Sequence, residues 1–273
     1  MLNEKEIKDY FLLMNSHAKK ELGQNFLTNE KVAQEIVQSL NIEPTDKILE
    51  IGPGLGALTE QLINKTAEYT VVEYDKKFVE FLTNSFSSSN IKIVNMNILK
   101  FKDFSYNKII GNLPYYISTE ILVYLIKNFT NFEHGVFMVQ KEFFDRITTK
   151  NKRDKTPLNY YIEYMFDVKK ILLVGKNNFF PQPTVESIVF SLTKKEEKEL
   201  IFAGFLFKII DILFLNRRKN INNNLKTLIK EEEIRKEIFT NLNLDPNLRC
   251  EDLNINDFEK ITNEILKVRN LKL

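Results

Sequence analysis

The chain of 273 residues has no tryptophan, one cysteine and two histidines. The single cysteine, Cys250, excludes an internal disulfide and a thiolate metal cluster. His17 and His134 lie far apart in the sequence, so no metal site is expected. This sparing use of cysteine fits a reducing, cytoplasmic setting. Long apolar runs are also missing. Phe11 to Met14 is too short for a secretory signal. The stretch from Ile201 to Leu215 is interrupted by Lys208 and Asp211, is shorter than a membrane span and reads as a buried helix, so no membrane partner is expected. Nor does one sign of charge dominate: 39 basic residues face 37 acidic ones, for a net charge of +2. Overall charge therefore demands no nucleic-acid partner, although local basic patches remain possible.

What is present is ordinary for a globular protein, with 43% hydrophobic and 28% charged residues. The length allows one large domain and one small one. Short apolar runs alternate with helical periods from residue 47 to about residue 140. The expected strands are KILEI (47–51), YTVVE (69–73), IKIV (91–94), NKIIG (107–111) and GVFMV (135–139). One intervening helix carries Phe78, Val79, Phe81 and Leu82. Another carries Ile121, Leu122, Leu125 and Ile126, with Ser118 as its expected N-cap. Upstream, Thr28 or Asn29 is placed to cap a helix bearing Val32, Ala33, Ile36, Val37 and Leu40. Strands alternating with helices imply an α/β fold with a mostly parallel sheet covered on both faces. KKILLV (169–174) and ESIVFSL (186–192) add two more strands. Beyond about residue 197 the pattern is entirely helical, and TKKEEKE reads as a solvated linker. The expected domains are 1–195 and 196–273.

The glycine-rich stretch E-I-G-P-G-L-G, Glu50 to Gly56, follows a strand and precedes a helical pattern. Glycines such as Gly52 and Gly54 let a backbone turn tightly and approach a ligand closely. The spacing is not the G-x-G-x-x-G that cradles a pyrophosphate, and no Walker lysine is present. Glu73 closes the next strand, where an acid accepts both hydroxyls of a ribose. A nucleoside cofactor without pyrophosphate satisfies both features, and S-adenosylmethionine is such a cofactor.

After the strand NKIIG comes N-L-P-Y, Asn112 to Tyr115. Such a motif suits transfer to an exocyclic amine. An adenine amine is a poor nucleophile because its lone pair is delocalised into the ring. The Asn112 oxygen is suited to accept one N–H bond and draw the nitrogen toward a tetrahedral state. Pro114 biases Leu113 to an extended conformation, aiming its carbonyl at the same amine. Tyr115 offers a ring to an extruded base. No histidine or cysteine base is required, because the methylated, cationic amine can lose its proton to solvent.

These stretches resemble the KsgA family of ribosomal RNA adenine dimethyltransferases over nearly the whole chain, from about Lys19 to Asn263. The resemblance rests on K-K-E-L-G-Q-N-F-L (19–27), E-I-G-P-G-L-G-A-L-T (50–59), G-N-L-P-Y-Y-I-S-T (111–119), V-Q-K-E (139–142), F-F-P-Q-P-T-V-E-S (179–187), N-R-R-K-N-I-N-N-N-L (216–225) and L-D-P-N-L-R-C-E-D-L (244–253). It implies a Rossmann-like class I methyltransferase fold with a seven-stranded, mostly parallel sheet and a small C-terminal all-α, RNA-binding domain. Asn25 and Leu27 would close over the cofactor, Gly52 would lie under its amino-acid moiety, and Glu73 would bind its ribose. Asn112 would sit near both methyl donor and target amine. Tyr115 and Phe179 would sandwich the target adenine. The family usually has an acid where this chain has Asn97; its amide oxygen can still accept a hydrogen bond from the adenine of the cofactor.

The implied activity is dimethylation of two adjacent adenines near the 3′ end of 16S rRNA in an immature 30S subunit, by a monomeric cytoplasmic enzyme. Arg217, Arg218 and Lys219, then Lys152 and Arg153 with Lys150 and Lys155, then Lys19 and Lys20, are candidate phosphate contacts. The alternatives are the related 23S rRNA dimethyltransferase of antibiotic resistance, an assembly factor that acts by binding, and an NAD-dependent oxidoreductase. The last is opposed by the glycine spacing.

Overall fold

The structure is a computed structural model that describes residues 1–15, 17–18, 23–87, 89–196 and 199–268. Lys19 and Lys20 lie outside the described residues. The chain divides into two units: Met1–Phe144 with Asp167–Lys194, and Asp145–Phe166 with Lys195–Leu273.

In the first unit the order is α1 (Glu4–Leu13), β1 (Phe26–Leu27), α2 (Glu30–Gln38), β2 (Lys47–Ile51), α3 (Thr59–Leu62), β3 (Glu68–Glu73), α4 (Lys76–Ser85), β4 (Lys92–Asn95), β5 (Lys108–Asn112), α5 (Ser118–Asn128) and β6 (His134–Gln140). Then α6 (Lys141–Ile147) and α7 (Pro157–Met165) lead to β7 (Phe166–Val174), β8 (Phe179–Phe180) and β9 (Ser187–Lys194). All seven expected strands form, differing mainly at their ends; β7 begins earlier, at Phe166. Asn29 rather than Thr28 caps α2, accepting the N–H groups of Lys31 and Val32. Ser118 is not the cap of α5. It is the first helical residue, after Ile117, and its hydroxyl donates to the Pro114 carbonyl at 2.9 Å. The preceding turn at Tyr115–Ile117 is already helical, so Ser118 lies within a continuing helical run rather than at its start.

The sheet runs β4-β3-β2-β5-β6-β9-β7. Pairs from β4 through β6 are parallel, and β9 is antiparallel to β6. The chain enters at β2, builds outward to β4, then returns to place β5 on the other side of β2. That reversal opens a crevice beyond the carboxyl ends of β2 and β5. Register sets Ile51 level with Val72 and with Gly111, so Gly52, Glu73 and Asn112 emerge at the same edge. β2 and β5 approach closely at Gly111, where a Cβ would lie 2.6 Å from the Ile51 carbonyl oxygen. The core beneath the edge includes Ile36, Ile48, Val71, Ile110 and Met138, each at most 1% exposed.

The second unit is helical: α7, α8 (Leu200–Phe214), α9 (Ile221–Leu225), α10 (Glu232–Leu242) and α11 (Ile255–Val268). The expected division gave residues 1–195 to one domain. The structure instead groups Asp145–Phe166 with the C-terminal helices. The reason is aromatic: Tyr161 meets Phe207 of α8 at 4.4 Å between ring centroids, and Tyr160 meets Phe258 of α11 at 4.8 Å. Helix α7 buries seven of its nine residues, as a helix surrounded by partners must. Among the described residues, no helix is long and apolar enough to cross a membrane.

Replacing Gly111 by Ala is expected to force β2 and β5 apart and to cost about 1–3 kcal/mol, read from the denaturant midpoint. An unchanged midpoint would show that the strands yield freely there.

Candidate active site

A cavity of about 340 Å³ opens at the carboxyl edge of β2, β3, β4 and β5. The glycine turn after β2 forms its floor. Gly54 has φ +57°, a backbone region that side-chain-bearing residues avoid. Its N–H donates to Glu73 Oε2 at 3.1 Å, and the Asp75 N–H donates to Oε1 at 2.7 Å. One carboxylate thus joins the glycine turn to the start of α4. Each carboxylate oxygen has a second lone pair, which leaves acceptor capacity toward the cavity. Burial raises the Glu73 carboxyl above its ordinary range, opposed by those backbone donors.

Beneath the turn lies Glu50, 1% exposed. Its Oε2 accepts the Thr59 hydroxyl at 2.8 Å and also the Tyr69 hydroxyl. Burial pushes Glu50 from an ordinary 4.5 up to about 7, with the nearby Glu73 charge adding to the rise and the two hydroxyls opposing it. Glu50, Glu73 and Asp75 all line the cavity, and among the described residues no lysine, arginine or histidine side chain does. Such a lining favours a cationic occupant over an anionic one.

Asn112 ends β5 facing the glycine turn. Its Nδ2 donates to the Asn25 carbonyl at 3.4 Å, and Asn25 Nδ2 donates to the Gly23 carbonyl at 3.2 Å. The Asn112 Oδ1 is buried and, among the described residues, has no hydrogen-bond partner. An orphaned buried acceptor costs about 1–3 kcal/mol, a cost that a ligand donor would remove. Leu113 is fully buried, and its N–H donates to the Met138 carbonyl at 3.0 Å. Leu113 and Pro114 both line the cavity.

Every residue expected at the cofactor, namely Asn25, Leu27, Gly52, Gly54, Glu73, Asn97 and Asn112, lines this one cavity. Asn97 also serves the local backbone. Its Oδ1 accepts the Leu99 N–H at 2.9 Å, capping a turn and leaving one lone pair for a ligand. The expected aromatic sandwich is not open. Tyr115 turns its hydroxyl to Ser187 at 2.9 Å, Phe179 is 2% exposed, and neither ring lines the cavity. Alternation along β8 explains the second correction. Phe179, paired with Leu27, packs into the core under the sheet edge, and its neighbour Phe180 packs elsewhere, against the cluster of Phe11 and Phe26.

Sequence reasoning missed Tyr74, Met96 and Tyr116, which are 64%, 38% and 52% exposed and line the same cavity. Adjacency was the available signal, since each directly neighbours a residue already singled out: Glu73, Asn97 or Tyr115. It also missed the wall made by Leu2 and by Ile7 of α1, for which the N-terminal pattern held no chemical signal.

In the second unit the two expected basic stretches meet. The Arg217 guanidinium pairs with Glu251 at 3.2 Å and donates to the Arg153 carbonyl, while Lys152 Nζ donates to the Asp252 carbonyl at 3.0 Å. Arg217 and Lys152 therefore hold the unit together. Arg153, Arg218 and Lys219 are exposed.

Because Glu50 ionises at a higher pH when folded than when unfolded, its stabilising contribution is present below about pH 4.5 and lost as pH rises through about 7. The ligand-free protein is expected to melt at a lower temperature near pH 8 than near pH 5.5, and Glu50→Gln is expected to flatten that slope in calorimetry. An equal slope in the variant would remove Glu50 as its source.

Comparison with known proteins places this architecture. A family model described as ribosomal RNA adenine dimethylase matches residues 15–267. The ribosomal RNA small subunit methyltransferase A of Malacoplasma penetrans (strain HF-2) is 40% identical over 243 residues, covering 86% of this chain and 88% of the relative. Its namesake from Francisella tularensis subsp. tularensis (strain FSC 198) is 39% identical over 256 residues, covering 90% and 97%. Two solved structures share the fold. A dimethyladenosine transferase from Plasmodium falciparum has a TM-score of 0.75 at 22% identity, covering 89% of this chain and 98% of that one. The 23S rRNA methyltransferase ErmE has a TM-score of 0.63 at 21% identity, covering 88% and 99%. With a matching family model across nearly its whole length, and a parallel-sheet edge that gathers the glycine turn, the acid and the asparagine into one cavity, this chain belongs to the ribosomal RNA adenine dimethylase family.

Proposed function

We propose that this chain transfers methyl groups from S-adenosylmethionine to the N6 amines of two adjacent adenines near the 3′ end of small-subunit (16S) ribosomal RNA, within an immature 30S subunit. The observation that carries the reading is the Asn112 Oδ1, buried and unpartnered in a cavity lined with acids. The small-subunit substrate follows the names of the relatives at 39–40% identity. On this reading the enzyme works as a monomer in the cytoplasm, where the ribosome is built.

The residues present fit the donor. Glu73 has acceptor capacity left for ribose hydroxyls, and Asn97 has one lone pair left for the adenine amine. Asn25 and Leu27 line the cavity together with the glycine turn. The bound donor supplies an electrophilic methyl group on a sulfonium. The Asn112 amide nitrogen is held by the Asn25 carbonyl, so its oxygen is free to accept an N–H of the target amine. That bond fixes the amine and withdraws its lone pair from the ring, so rate comes from positioning and a preoriented dipole. An amide oxygen takes no proton, and the methylated amine releases its proton to solvent. The exposed rings of Tyr74 and Tyr116 present apolar faces to an unstacked base. Arg153, Arg218 and Lys219 contact phosphates without reading sequence.

Mass spectrometry of rRNA fragments after incubation with S-adenosylmethionine and immature small subunits tests the reading. Dimethylated adenines are expected in 16S rRNA, and product on large subunits alone would overturn the substrate. Asn112→Ala is expected to lower the rate at saturating cofactor about a hundredfold or more; an unchanged rate would remove Asn112 from the chemistry. Arg218→Ala with Lys219→Ala is expected to weaken RNA binding and lower its salt dependence, by a slope of about one per lost phosphate contact. The same pair should leave the melting temperature unchanged, while Arg217→Ala should lower it. Equal RNA affinity in the double variant would count against these contacts.

A further inference from the structure

The match to the family begins at residue 15, so α1 lies before it, yet this helix helps to wall the cavity. Its sequence is amphipathic. Ile7 and Phe11, four apart on one face, are 1% and 8% exposed, whereas Leu12 and Leu13 point away and are 77% and 86% exposed. The buried face meets Phe26 of β1, Leu55 of the glycine turn and Phe78 of α4 in one apolar cluster. Ile7, Phe26, Leu55 and Phe78 of that cluster line the cavity, and so does Leu2 just before the helix.

The cluster also bears on the glycine turn itself. Phe11 packs against Phe26 with ring centroids 5.7 Å apart, and Phe26 meets Phe78 edge to face at 5.4 Å. A Cβ placed on Gly54 would stand 3.3 Å from the Phe26 ring, so that ring rests directly on the turn. Gly54 is the residue whose N–H reaches Glu73. A line of contacts thus runs from α1 through Phe26 to the acid placed for the ribose. Among the described residues, the backbone hydrogen bonds of α1 stay within its own neighbourhood, while the Tyr10 hydroxyl donates to the Lys77 carbonyl at 3.2 Å. A helix of ten residues is marginal on its own in water. Its order therefore depends on the apolar seal, and a ligand that fills the cavity adds to that seal.

We infer that α1 is part of the donor site: Leu2 and Ile7 are binding residues that give S-adenosylmethionine an apolar wall, and Phe11 is a positioning residue that holds the glycine turn through Phe26. The inference rests on the S-adenosylmethionine reading of the cavity. The side chains of Leu2 and Ile7 carry no donor or acceptor, so what they supply is contact and the exclusion of water. Phe11 does not line the cavity and acts through the ring of Phe26. Ordering of α1 and binding of the donor favour each other, and by linkage the coupling is equal in both directions.

Hydrogen–deuterium exchange of the full chain with and without S-adenosylhomocysteine, together with calorimetric dissociation constants for the same ligand, tests this. The ligand should slow exchange of the α1 amides as well as those of the glycine turn. Ile7→Ser and Phe11→Ala should each raise the dissociation constant about tenfold, and Ile7→Val should retain most of the affinity. Leu12→Ser with Leu13→Ser, on the exposed side of the same helix, should leave it unchanged. In Ile7→Ser the ligand should still protect the glycine turn but no longer protect α1. Exchange in α1 that the ligand leaves unchanged in the unaltered protein would overturn the inference with no variant needed. Unaltered affinity in both Ile7→Ser and Phe11→Ala would also overturn it, as would an equal loss in the Leu12 and Leu13 variant, which would mark a general effect of helix stability. Failure of S-adenosylhomocysteine to bind at all would overturn the cofactor reading as well, whereas binding without protection of α1 would overturn only the role of the helix.

Discussion

Three buried acceptors stand at one sheet edge: Glu50 and Glu73, met by hydroxyl and backbone donors in a cavity that no lysine, arginine or histidine side chain lines among the described residues, and the Asn112 Oδ1, which has no partner among those residues. The rest of the site is arranged around these acceptors. Parallel register of β2, β3 and β5 brings the three to the same edge, and the reversal of strand order leaves a crevice there. A closed core would not tolerate them, since each unmatched group subtracts from a stability of only about 5–15 kcal/mol. A ligand that brings hydrogen-bond donors to this edge would offer the Asn112 Oδ1 a partner and would stabilise the folded state by binding it.

Much of this edge was legible in the sequence because its determinants are local. The run KILEI followed by glycines describes a strand and a turn within a few residues, and β2 with its positive-φ Gly52 and Gly54 forms there. Asn29 caps α2 because a short acceptor before an amphipathic run has little else to do. Gly52, Glu73, Asn97 and Asn112 converge because each ends or closely follows a strand of the parallel sheet, which aligns strand ends, whereas Asn25 and Leu27 come from β1 and the residue before it, in a separate two-stranded antiparallel sheet. What sequence did not reveal depends on distant packing. The aromatic α7 follows the sheet in order, yet its rings find partners in α8 and α11. Phe179 was expected in the site because of its motif, but its place in a two-residue strand turns its ring into the core. The hydrogen bonds that hold Glu50 were hidden for the same reason, since Thr59 and Tyr69 reach it only after folding.

The basic residues teach a related lesson. A run of Arg and Lys is ambiguous in sequence, because the same charge can serve phosphate or a neighbouring carboxylate. Arg217 and Lys152 are taken up by Glu251 and by the Asp252 carbonyl, while Arg153, Arg218 and Lys219 remain exposed. Within one short segment, then, adjacent residues divide between holding the helical unit together and offering charge to solvent.

The central claim is that the unpartnered Asn112 oxygen awaits the amine of the target adenine. A crystal structure with S-adenosylhomocysteine and an RNA carrying the unmethylated adenines tests it most directly. The predicted result is an N6 nitrogen within hydrogen-bonding distance of Asn112 Oδ1, with Nδ2 still on the Asn25 carbonyl. An adenine seated in the cavity with Oδ1 turned away, or bonded to protein instead, would contradict it.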